Sequence, residues 1–189
     1  MLVAFGALSV SGASAQLVTV QGTAGPWSTS VNPTYNYSDD SAQTASTDVA
    51  VTPGLIYSIA YVAGHTTTDG IETAQADANG YCCQLGPGFN SPGQYTAAVA
   101  NLMELVGTFA GPTGAIVGTP FVIGNGPTAA LAPVGASQLQ LGINDNLYHD
   151  NTDSLLISVS TVPEPETYAM TLAGLLFLAL AARRSRTPL

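Results

Sequence analysis

Apolar residues along this chain recur at alternate positions in short runs, and no heptad or fixed-period repeat is found. Residues 55–62 read Leu-Ile-Tyr-Ser-Ile-Ala-Tyr-Val after a Pro53-Gly54 turn and form the clearest core strand. Residues 138–143 alternate Gln-Leu-Gln-Leu-Gly-Ile, and residues 155–159 make a last strand. Residues 48–51 and 102–109 are strand-like, and 115–117 and 120–123 are short strands around Gly-Thr-Pro. Trp27-Ser28-Thr29 begins the domain as a strand, and a further short strand falls at 35–37 within the polar stretch 32–47. Residues 16–26 are a polar lead-in, 64–93 a long irregular segment, 124–127 a turn and 144–153 a polar loop. About eight short strands separated by Gly/Pro turns predict an all-β, jelly-roll-like β-sandwich over residues 16–161.

The ends break this pattern. Residues 1–15 are apolar and close on Ala13-Ser14-Ala15 before Gln16, a small-x-small cleavage site, so they read as the back of a secretory signal peptide lacking its positive start. The alternative is a first core strand. Residues 162–189 have three parts: Pro163-Glu164-Pro165, a run over 169–182, and Arg183-Arg184-Ser185-Arg186. The two prolines fix φ and lack N–H donors, so that piece is extended. Ala, Met and Leu then favour helix. Arginine is costly at mid-bilayer and holds the cytoplasmic side. One C-terminal membrane helix is therefore expected. Fourteen residues at a rise of about 1.5 Å give about 21 Å, against a hydrocarbon core of about 30 Å. That span suits a transient anchor better than a permanent one.

The order Pro163-Glu164-Pro165, short helix, then Arg183, Arg184 and Arg186 resembles the PEP-CTERM sorting signal of Gram-negative bacteria. The resemblance implies an exported protein held briefly at the inner membrane, processed by an exosortase-type enzyme and sent to the cell surface. An ordinary C-terminal anchor helix is the other reading of the same residues.

Charge narrows the function classes. All three Lys or Arg residues of the chain are those terminal arginines, and ten of the twelve Asp and Glu lie ahead of the tail. A body without Lys or Arg cannot neutralise phosphates, so no nucleic-acid partner is expected. It also lacks a Schiff-base or P-loop lysine. Cys82 and Cys83 are adjacent; they are either free thiols or a strained vicinal disulfide in an oxidising compartment.

Candidate chemistry gathers in residues 143–153, where Asn144, Asp145, Asn146, Asp150, Asn151 and Asp153 concentrate oxygen between two apolar strands. Ca²⁺ takes six to eight such oxygens. The EF-hand spacing is absent, and a solvated loop held by Asx-turns is the alternative.

Residues 50–160 also resemble the calcium-dependent galactophilic lectin family of bacteria, a jelly-roll fold. The resemblance rests on Pro53-Gly54, residues 57–64, Ala78-Asn79-Gly80, 102–107, Ala132-Pro133, 139–145, Asp150-Asn151 and 155–159. It implies Ca²⁺ ligands at Asp145, Asp150 and Asn151 and a backbone carbonyl near Thr68. It further implies contacts to exopolysaccharide or a galactose-type glycan near Asn79 and Asp77, with His149 beside a ligand position. The chain departs from the family at Asp153, where a glycine is expected, at Ala76, where a sugar-touching histidine is expected, and in a shorter loop after Asp145.

Catalysis is not expected. His65 and His149 are the two histidines, and no Gly-x-Ser-x-Gly elbow is present. The carboxylates Asp69, Glu72, Asp77 and Glu104 have no separation that sequence can set, and Glu104 is expected to face outward on its strand. The function these readings support is a surface-directed, calcium-assisted carbohydrate-binding module; the alternative is a non-binding structural or matrix protein of the cell surface.

Overall fold

The computed structural model describes residues 15–35, 44–68, 75–81, 100–145, 147–163 and 172–178. The chain separates into a body, Ser14–Thr161, and a second unit that contains Val162–Leu189. The body holds β1 (Gln16–Gln21), β2 (Thr47–Ala50), β3 (Ile56–Thr67), β4 (Leu105–Ala110), β5 (Phe121–Val122), β6 (Thr128–Leu131), β7 (Gln138–Ile143) and β8 (Thr152–Thr161). They form two antiparallel four-stranded sheets, ordered β1-β8-β3-β6 and β2-β7-β4-β5.

The alternation in β7 explains how the sheets pack. Leu139, Leu141 and Ile143 are fully buried and meet Val20 of β1, Ile59 of β3 and Leu155 and Ile157 of β8 in one core. Residues from both sheets thus share one apolar layer, as period-2 patterning requires. Gln138, Gln140 and Gly142 fall on the opposite face of β7. That face is covered as well, since Val106 and Thr108 of β4 are buried. The cover is the segment after β1. A methyl group on Gly142 would collide with the backbone of Gly25 and Pro26. Beside that crossing Trp27 and Tyr148 form a second, smaller core with Tyr35 and Ile116.

Several elements differ from the sequence reading for identifiable reasons. Gln16–Gln21, expected as lead-in, is an edge strand; Val18 and Val20 provide its apolar face. Trp27 is not in a strand. Its indole N–H donates to Tyr35 O at 2.8 Å and its ring meets Tyr35 edge-on, which fixes a covering loop. Residues Pro33–Tyr35 make a 3₁₀ turn, and the rest of the short strand expected at 35–37 lies outside the described residues. β3 runs on to Thr67 because a bulge between Tyr61 and Ala63 resets its pairing with β8. β6, Thr-Ala-Ala-Leu, has little strand signal of its own and is held by pairing with residues 56–59 of β3.

In the second unit, residues 172–178 are helical, with Leu172, Leu175, Leu176, Phe177 and Leu178 exposed. Among the described residues no helix is long and apolar enough to cross a membrane. The remainder of the expected membrane run 169–182 lies outside the described residues, as do residues 1–14 and the Cys82-Cys83 pair.

Candidate functional site

β7 and β8 belong to different sheets, so the chain between them must cross from one sheet to the other. Both ends of this crossing fasten on the turn that follows β1. The Ile143 N–H donates to Ala24 O at 2.8 Å, and the Asn151 side-chain amide donates to Gly22 O at 2.9 Å. Gly22 N–H donates in turn to Asp153 O at 2.8 Å. In the middle, Tyr148 turns inward, is fully buried and donates its O–H to Ile143 O at 3.0 Å. The loop that reads as polar in sequence is therefore pinned by an aromatic side chain into the smaller core.

This pinning buries polar groups. Asp145 is 2% exposed, Asn151 5% and Asn144 0%, while Asp150 is half-buried and His149 exposed. Part of their bonding is local structure. Asp145 Oδ1 accepts the Leu147 N–H at 3.1 Å, an Asx-turn. Asn144 Nδ2 donates to Asn101 O at 2.9 Å and Ala100 O at 3.3 Å. The oxygens at the far side of both amides, Asn144 Oδ1 and Asn151 Oδ1, are buried with no hydrogen-bond donor among the described residues. A buried acceptor left so costs about 1–3 kcal/mol. The β3–β8 ladder ends with Thr67 paired to Thr152, and Thr68 and Asn151 are the next residues beyond that pair. Thr68 N–H donates to the Tyr81 hydroxyl at 3.3 Å. Among the described residues no group of three or more His, Cys, Asp or Glu is placed to hold a metal ion. A cation here would draw on amide and carbonyl oxygens beside Asp145 and Asp150, which is the donor chemistry hard cations accept.

Asp77 and Asn79 belong to a neighbouring network built from three segments. Asp77 accepts from the Asn79 N–H at 2.9 Å and from Asn125 Nδ2 at 2.9 Å; Asn79 Oδ1 accepts the Asn125 N–H at 2.8 Å. Asn101 Nδ2 donates to Asn79 O at 3.1 Å, and the Asn101 N–H donates to Glu104 Oε2 at 2.6 Å. Glu104 was expected to face outward on a strand. It sits one residue ahead of β4 and is 8% exposed. Burial raises its pKa above the ordinary value, and the Asn101 N–H opposes that rise in part. The buried Met103 beside it has φ of 64°, a left-handed conformation that non-glycine residues hold only when their surroundings enforce it. Asn125 lies in a Gly-Asn-Gly-Pro stretch that sequence presents only as a turn, so its side-chain role was not legible there.

Where β3 and β8 pair near the start of β8, His65 Nε2 lies 3.6 Å from Asp153 Oδ2 with both side chains about half exposed. Asp153 also carries a φ of 64°, so the position that departs from an expected glycine keeps a backbone suited to one.

The C-terminal residues begin where the body stops. β8 ends at Thr161, and Pro163 follows two residues later. Glu164, Pro165, Arg183, Arg184 and Arg186 lie outside the described residues. At the other chain end β1 starts at Gln16, paired with Val159 of β8. The two ends of the body therefore lie side by side on adjacent strands. The 144–151 crossing sits at the opposite end of β8, roughly 30 Å away for a strand of that length.

Residues 161–186 match the PEP-CTERM protein-sorting motif. The motif is a recognition signal for exosortase processing and indicates export and sorting to the cell surface by way of the membrane. No curated protein and no solved structure matches the chain.

Proposed function

We propose that this is a surface-directed binding module whose body holds Ca²⁺ at the 144–151 crossing and presents that end to carbohydrate once the tail has been processed. The strand order, with β1 beside β8 in one sheet and β2 beside β7 in the other, is the arrangement a jelly roll needs. The observation that carries the reading is a pair of buried oxygens, Asn144 Oδ1 and Asn151 Oδ1, that have no donor among the described residues and lie on either side of Asp145 and Asp150 in the sequence of a loop whose ends share one turn. Asp145, Asp150, Asn151 and the Thr68 carbonyl are the groups that would hold the ion. When bound it would supply positive charge that a body without Lys or Arg otherwise lacks. Asp77, Asn79 and His149, all exposed, are the side chains assigned to glycan contact. No catalytic role is proposed.

Within the body, β8 ends beside the start of β1, and the crossing lies at the other end of β8. Calorimetric titration with CaCl₂, using Asp145→Ala as control, tests the proposal. Saturable heat in the wild type and none in the variant is expected. No heat, and no rise in Tm with added Ca²⁺, would favour the second reading, a non-binding structural protein of the surface matrix. That reading draws on the lack, among the described residues, of a three-member acidic, His or Cys cluster.

A further inference from the structure

The outer face of the β2–β7 sheet carries an open groove of about 690 Å³ whose lining includes none of the crossing residues 144–151. Its floor is Asp48 of β2 with Gln138 and Gln140 of β7. Its walls are residues 28–31 on one side and 112–114 on the other. The walls are tied together by one buried side chain. Asn32 Nδ2 donates to Ser28 O at 3.1 Å and to Gly114 O at 3.0 Å, and its Oδ1 accepts the Ile116 N–H at 2.9 Å. Asn32 therefore fixes the spacing of these two walls.

The lining decides the ligand class. Ser46 Oγ donates to Asp48 Oδ1 at 2.8 Å, and Gln140 Nε2 lies 3.5 Å from the same oxygen. That contact orients the Gln140 amide and leaves its Oε1 buried with no donor among the described residues. An apolar ligand would desolvate this floor without replacing its hydrogen bonds. An anion would meet Asp48 with no Lys or Arg in the body to offset it. A bare cation is far smaller than the space. A neutral polyhydroxylated chain offers donors to Asp48 and acceptors to the wall hydroxyls at once. The volume lies within the roughly 300–1,000 Å³ typical of small-molecule sites.

We infer that this groove binds a neutral carbohydrate segment without calcium. It is a second site, independent of the crossing proposed above to hold Ca²⁺. Trp27, the single tryptophan of the chain, contributes to its lining; because it also packs against Tyr148 of the crossing, its emission is read in EDTA so that calcium at the crossing does not contribute.

The test uses the full chain in a polyoxyethylene detergent, which carries no sugar. Native gels are cast with dextran, laminarin, galactomannan or hydroxyethylcellulose, and with the acidic polymer alginate, each with and without EDTA. Trp27 fluorescence is titrated with the matching tetrasaccharides, which separates a free oligosaccharide from a polymer as the source. Retardation by at least one neutral polymer, unchanged by EDTA and by Asp145→Ala, is expected. Asp48→Ala and the rim substitution Thr113→Phe should each weaken it by about tenfold or more. Thr113 is exposed, so that variant keeps its fold even if Asp48→Ala does not. Retardation by no neutral polymer, by alginate alone, or equally in wild type and Thr113→Phe would overturn the inference. Loss with EDTA together with loss in Asp145→Ala would also overturn it and move binding to the crossing.

Discussion

Asn151 donates its side-chain amide to the carbonyl of Gly22 at 2.9 Å, joining the start of β8 to the turn that ends β1 across 129 positions of sequence. The bond is buried, so Asn151→Ala loses it and leaves a carbonyl without its donor. The substitution also removes the buried, unpartnered Asn151 Oδ1, so a net cost at the low end of the range, about 1 kcal/mol, is expected. Gly22→Ala should act in the same direction, because its methyl would lie 2.5 Å from Thr152 O. Urea unfolding of both variants measures this. Midpoints equal to wild type would show that the turn does not hold the crossing.

Glu104 makes the stability of the body depend on pH. Burial raises its pKa above 4.5, so the folded chain favours the neutral acid. The stabilisation is complete below the unfolded value and is lost as pH rises through the folded one. Glu104→Gln stays neutral throughout while keeping an acceptor for the Asn101 N–H. The variant should match wild type in acid and exceed it increasingly as pH rises through the raised pKa. Thermal unfolding of both proteins from pH 4 to 8, at about half-unit steps, reads the difference. A gap that does not change with pH would contradict the assignment.

Gly142 lets the Gly25-Pro26 backbone lie against the outer face of β7. Gly142→Ala should lift that segment, loosen Trp27 and cost about 1–3 kcal/mol as overpacking does. Trp27 is the single tryptophan and is 1% exposed. Its emission should therefore shift to the red in the variant, and an unshifted spectrum would show that the cover tolerates the methyl.

What sequence revealed followed the strength of local pattern. The alternation of 138–143 and the apolar run of 55–62 became β7 and β3 because each carries its own inward face. β6 and β1 were not legible, since Thr-Ala-Ala-Leu and Gln-Leu-Val-Thr-Val-Gln acquire their state from the strands beside them. The loop 144–153 announced itself by oxygen content, and burial of Asp145 and Asn151 agrees with a built region. Its anchoring did not show. Tyr148 reads as one more loop residue, yet it packs with Trp27 from far earlier in the chain. Glu104 misled because its neighbours suggest an outward strand position, while the left-handed Met103 turns the chain just before β4.

The tail remains the most specific part of the sequence, and the fold gives it a clean boundary. β8 closes at Thr161, one residue into the matched span 161–186, so the body is complete before Pro163-Glu164-Pro165 begins. Removal of the tail should leave every strand intact. The direct measurement is the intact mass of the chain recovered from cells with and without an exosortase. The account predicts a shorter chain, cut after Thr161, in cells with the enzyme and an uncut tail in cells without it. Equal masses in both, or a cut inside β8, would contradict it.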